Sequence, residues 1–97
     1  MPGYISLMKF TPKALGDLKG SPGRVNEAKA AAQKMGIRWV GWWATVGEYD
    51  MVCIIDAPND EAASAFALAT AAKGYVTTQG MRAYSETEWA ALTAKLP

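Results

Sequence analysis

The sequence predicts an α+β fold, a four-stranded antiparallel sheet with helices on one face, and three observations carry that prediction. Strand-like and helix-like patterns follow the order strand, helix, strand, strand, helix, strand, with one more helix at the end. Residues 41–58 read as two apolar strands joined by the tight polar turn Gly47-Glu48-Tyr49-Asp50. Trp39, Trp42 and Trp43 fall on a single strand, so indoles lie on both of its sides. A chain of 97 residues has little interior in which to enclose them.

Tyr4 to Phe10, aromatic and β-branched in character, forms the first strand, which Thr11-Pro12 ends. Lys13 to Lys19 forms a helical turn before Gly20. Ser21-Pro22 then reads as an N-cap followed by proline at the first helical position. The helix it opens carries Val25, Ala28, Ala32 and Met35 on one face, and Gly36 stops it. Ile37 to Val46 is the second strand. Met51 to Asp56 is the third, and its apolar run suits a strand covered on both faces.

Ala57-Pro58-Asn59-Asp60 makes a turn and a helix start, with Asp60 and Glu61 complementing the helix dipole. Glu61 to Lys73 is alanine-rich and helical, with Ala62, Phe66 and Ala69 along one stripe, and Gly74 ends it. Tyr75 to Tyr84 is the fourth strand. Ser85-Glu86-Thr87-Glu88 is a capping box that starts a short final helix through Trp89, Leu92 and Leu96. Two split βαβ halves in this order point to the ferredoxin-like architecture, read as one domain over residues 1–97. Its second sheet face lies bare in a single copy. Pairing two such faces produces a dimeric α/β barrel, so a homodimer or higher oligomer is expected, with a cavity between sheet and helices or between subunits.

Composition narrows the function classes. Ten Lys and Arg against nine Asp and Glu leave a charge of +1, with no basic cluster to serve as a nucleic-acid footprint. The lone Cys53 excludes an internal disulfide and fits a reducing compartment. No run reaches membrane-spanning length and the N-terminus lacks signal-peptide character, so a cytoplasmic location is expected. The chain has no histidine, which removes Ser–His and Cys–His pairs and the commonest haem or zinc ligand. Gly20-Ser21-Pro22-Gly23 lacks the lysine of a phosphate loop, and no carboxylate set resembles a metal site. No metal and no cofactor is expected.

Several segments together resemble the GYD domain family of small bacterial proteins, within the dimeric α/β-barrel group. They are Tyr4-Ile5-Ser6-Leu7, Ser21-Pro22-x-Arg24, the Gly-x-Tyr-Asp element Gly47-Glu48-Tyr49-Asp50, Ala57-Pro58-x-Asp60 and Met81-Arg82-Ala83-Tyr84. The resemblance runs along nearly the whole chain, and it implies a fold and an oligomer rather than an activity. Gly80 departs from the threonine usual in relatives and leaves a hole or a point of backbone access on the fourth strand. Barrel-group members that degrade haem through a histidine are poor guides to a chain without one.

Five residues are candidates for binding a ligand. Asp50 beside Tyr49 offers a carboxylate and a phenol, as a proton acceptor or an anchor, or else Asp50 merely holds backbone N–H groups at the turn. Arg82 can fork onto a carboxylate or serve as structural glue, and it is expected to converge with Asp50 and Tyr49 at the mouth of the main pocket. Lys9 can join Arg82 on the open sheet face, or stand as a solvated edge charge. Of Trp42 and Trp43, one faces the helices and the other the open side, as interface or pocket wall. Cys53 reads as inert packing. Two functions fit. One is an oligomeric small-ligand-binding or sensory module. The other is a cofactor-independent oxygenase or isomerase for a small aromatic or enolisable substrate, with Asp50 or Tyr49 as base.

Overall fold

Local chemistry accounts for most element boundaries in the computed structural model, which describes residues Met1–Pro97. Strand β1, Gly3–Phe10, stops at Thr11, whose hydroxyl accepts from the Ala14 N–H and caps the short helix α1, Pro12–Leu15. A 3-10 turn, Leu18–Gly20, runs straight into α2, Ser21–Lys34. Ser21 therefore lies inside the helix instead of capping it, and Gly20 takes the N-cap position with no side-chain cap. Gly36, at φ +72°, ends α2 in the left-handed region that other residues resist. Strand β2 is Arg38–Ala44, β3 is Met51–Asp56, α3 is Asp60–Ala72, β4 is Val76–Ala83 and α4 is Glu86–Thr93. Asn59 caps α3 by accepting from the Ala62 N–H, and Ser85 with Glu88 closes the expected capping box of α4.

The strands form one sheet in the order β2-β3-β1-β4, with every pairing antiparallel. This is the expected α+β, ferredoxin-like arrangement βαββαβ with a C-terminal helix. Register decides which side chains the helices cover. Met51, Cys53 and Ile55 of β3 point to the helices and are buried, and they pair across β1 with Met8, Ser6 and Tyr4. Ala32 from α2 and Ala63 and Phe66 from α3 close the core, with Ile37 and Ala57 at its end. Phe66 meets Trp39 edge-on, with ring centroids 6.5 Å apart.

One irregularity redirects the tryptophans. A bulge in β2 between Trp39 and Gly41 inserts Val40 as an extra residue against β3. Residues three apart on a regular strand face opposite ways. With the bulge, Trp39 opposes Ile55 and Trp42 opposes Cys53, so both indoles turn toward the helices. Trp43 opposes Val52 and turns outward, where it stays 54% exposed. Its ring folds over Gly41, where a Cβ would come within 2.5 Å of the indole.

The outer sheet face carries Ile5 and Leu7 from β1, Val52 and Ile54 from β3, Trp43, and Met81 from β4, and no element of the chain covers it. The result is a flat two-layer body of 51 × 31 × 18 Å. Its radius of gyration is 14.6 Å, against about 12.5 Å for a compact domain of this length. Its accessible surface is 6397 Å², whereas a folded monomer of 10.4 kDa exposes about 5,400 Å² by size scaling. No helix is long and apolar enough to cross a membrane.

Candidate functional site

Between the helices and the sheet lies a cleft of about 130 Å³, large enough for more than one water. Its origin is legible in one row of side chains across the sheet. Trp42, Cys53, Ser6 and Gly80 stand side by side on β2, β3, β1 and β4, all on the helix-facing side. The row tapers from an indole to no side chain. A Cβ on Gly80 would meet nothing closer than the Ser6 hydroxyl at 4.0 Å. Above this floor the helices supply mostly small side chains, Ala28 and Ala31 on α2 and Ala67, Ala69 and Thr70 on α3, with Val25 beside them. Small residues on both layers leave the space, and Met8, Phe10 and Met51 make its walls apolar.

The mouth is charged. Arg24 of α2 stacks on Tyr75, its guanidinium carbon 4.2 Å from the ring centroid, and pairs with Asp17 at 3.2 Å. Lys13 reaches the same ring, at 4.4 Å. Lys73, the C-cap residue of α3, faces Glu27 of α2 across the opening at 3.8 Å, a loose exposed pair that little energy holds closed. Burial in the apolar floor pushes the Cys53 thiol up to about 12, so it stays protonated at neutral pH and is a poor nucleophile.

The five sequence candidates do not gather here. Only Trp42 lines the cleft. Trp43 stands on the outer sheet face. Tyr49 lies on that outer side too, donating its hydroxyl hydrogen to Gln79 Oε1 at 2.8 Å, with the Lys9 ammonium 5.2 Å from its ring. Asp50 extends the β1–β3 ladder. Its N–H donates to the Met8 carbonyl, its carbonyl accepts from Thr45, and its Oδ2 accepts the Phe10 N–H at 2.8 Å.

Arg82 is at the far end of the sheet, opposite Tyr4. Strands β3 and β4 are both antiparallel to β1, so they run in the same direction, and the start of one lies far from the end of the other. Tyr4 and Phe10 are six residues apart on β1, which separates Arg82 from Asp50 by about 20 Å. The expected convergence of Asp50, Tyr49 and Arg82 at a pocket mouth is therefore not found. Nor does Arg82 share the outer face with Lys9, because even and odd positions of β1 point oppositely.

Arg82 instead organises the root of α4. It donates to the carbonyls of Gly3 and Ala83, stacks on Tyr84 at 4.4 Å, and pairs with Glu88 at 3.4 Å. The Ser85 backbone N–H and the Arg82 guanidinium hold the Glu88 carboxyl below its ordinary value. Beside it, Tyr4 donates to the Asp60 carboxylate, an interaction that raises the phenol's pKa.

A family model for the GYD domain covers residues 4–93 of the chain.

The chain belongs to the GYD domain family.

Among curated proteins and among solved structures nothing matches it. In this GYD domain the Gly-x-Tyr-Asp element sits at the β2–β3 connection and joins it to β1 through the Asp50 side chain and backbone. Sequence reading did not single out the residues around the cleft mouth, Arg24, Lys73 and Tyr75. The available signal was the surplus of small residues, alanine on the helices and Cys53, Ser6 and Gly80 on the strands. Where two packed layers both carry small side chains, a void follows.

Proposed function

We propose that this GYD domain protein is an oligomeric module that binds a small, partly apolar ligand in the cleft between its sheet and helices α2 and α3. The observation that carries the reading is the tapering row Trp42–Cys53–Ser6–Gly80 beneath alanine-lined helices. A chain this small gains stability by filling such a space, and a kept cleft with an indole wall and a charged mouth suits an occupant. Arg24 and Lys73 favour a ligand with an anionic end. The alternative, a cofactor-independent oxygenase or isomerase using Asp50 or Tyr49 as base, draws no support from the cleft, which neither residue lines.

A second copy of the chain is proposed to cover the outer sheet face. The support is arithmetic: the chain exposes about 1,000 Å² more than a monomer of its mass should, close to the roughly 800 Å² that each partner buries in a standard interface. Native mass spectrometry for a co-purified ligand, followed by a thermal-shift screen of small aromatic acids, tests the binding reading. Retention of a small molecule, or a rise in Tm that Trp42→Ala abolishes, supports it. A protein that carries nothing and responds to none of the acids counts against it.

A further inference from the structure

Three cations stand at the mouth of the cleft, and two of them are already engaged. Arg24 donates to the Asp17 carboxylate at 3.2 Å and to the Asp17 carbonyl at 3.0 Å, with its guanidinium laid over the Tyr75 ring. Lys13 donates to the Lys73 carbonyl at 3.1 Å and lies over the same ring. Lys73 differs. Its ammonium has three protons to donate, and its one charged partner, Glu27 Oε2, stands 3.8 Å away, outside hydrogen-bonding range. The two side chains are 54% and 69% exposed, so the pair gains little and separates at little cost.

We infer that Lys73 anchors the carboxylate of a ligand whose apolar body is about one aromatic ring in size, and that Glu27 competes with that carboxylate for Lys73. This rests on the cleft reading above and deepens it, by naming the ligand class and the residue that limits its affinity. The size follows from the volume. The cleft of about 130 Å³ is close to the roughly 150 Å³ of a cavity that holds one benzene. Trp42, Phe10 and Met8 give it walls on which a ring face packs well. The charge follows from the mouth. One cation without a hydrogen-bonded acceptor suits a single negative charge. A phosphate would need a second donor, and Arg24 and Lys13 supply one only by leaving Asp17 or Tyr75. A ligand carboxylate that reaches Lys73 replaces a loose ion pair with a charge-assisted hydrogen bond, and Glu27 turns to the solvent it already meets.

The test is isothermal titration calorimetry on the full chain, with benzoate and 3-phenylpropanoate as probes and benzamide as the neutral counterpart. It compares the parent with E27Q, K73M, E27Q/K73M and W42A. Competition requires E27Q to tighten both acids by about threefold, the worth of an exposed ion pair, and to leave benzamide unchanged. K73M should weaken the acids tenfold or more, and E27Q should recover none of that loss in the K73M background. If E27Q tightens the acids as much without Lys73, Glu27 acts only as a negative charge near the mouth and the competition is overturned. If the acids bind the parent, E27Q and K73M alike while W42A abolishes binding, the cleft reading stands and Lys73 is not the anchor. Acids and amide that bind neither the parent nor E27Q overturn the anchor and count against the cleft reading with it.

Discussion

Replacing Ser6 with valine tests whether the cleft is kept open at the expense of stability. Ser6 lies on the cleft floor, between Cys53 on β3 and Gly80 on β4, with open space over Gly80. Valine suits a strand and adds two methyl groups where serine has one hydroxyl. At about 0.8 kcal/mol per buried carbon, the gain is about 1.5 kcal/mol. For a domain of this length that corresponds to a rise in Tm of about 6–12 °C. Calorimetry gives the stability, and a thermal-shift titration with whichever acid binds the parent gives the occupancy. The ligand response should vanish in the variant, since the methyl groups take its place. Ser6 points away from the outer sheet face, so the sedimentation behaviour should not change. An unaltered or lower Tm would mean that the floor is already packed. A higher Tm with the ligand response intact would mean that the ligand binds elsewhere.

Other outcomes follow from single contacts. Asp50→Ala should destabilise the fold by about 1–3 kcal/mol, because the Phe10 N–H loses its acceptor. Asp50→Asn keeps an acceptor oxygen and should stay within about 1 kcal/mol of the parent in chemical denaturation; an equal loss in both would point to the charge. The Cys53 thiol has its folded-state value raised from 9.0 to about 12. Its contribution to stability is therefore complete below pH 9 and falls as pH rises toward 12, because only the unfolded thiol ionises in that window. Thiol titration of the folded protein at pH 8 should be slow and should become immediate on adding denaturant; rapid reaction in the native state would contradict the burial. Gly41→Ala should displace the Trp43 indole, which a Cβ would approach to 2.5 Å. The change should raise the dimer dissociation constant in sedimentation, and an unaltered constant would remove Trp43 from the interface.

Much of the fold was legible because its signals are local. Asn59 and Ser85 are cap residues by chemistry, Gly36 and Gly74 accept positive φ where other residues strain, and Met51 to Asp56 is apolar enough to be a central strand. The displaced cap at Ser21 is local as well: the 3-10 turn before it left no room for a separate cap, while β2 stops at Ala44 instead of Val46 and α4 at Thr93 instead of Leu96. The dissociation of the candidate site has a different cause. Tyr49 and Asp50 are neighbours in sequence, yet one side chain goes to the outer face and the other to the end of β1. Arg82 lies 32 positions from Asp50 in the chain and a strand's length from it in space.

By itself the sequence determined the order of elements, their caps, the apolar strands and the absence of histidine chemistry. Those depend on side chains acting within a few residues of themselves. The tertiary structure alone decided which faces those side chains share. The bulge at Val40 turned Trp39 and Trp42 to the same side, and the common direction of β3 and β4 sent Arg82 away from Asp50. The meeting of small residues from three strands and two helices opened the cleft. Register and strand direction depend on pairings between distant segments, and in a period-two structure a shift of one residue reverses every side chain that follows.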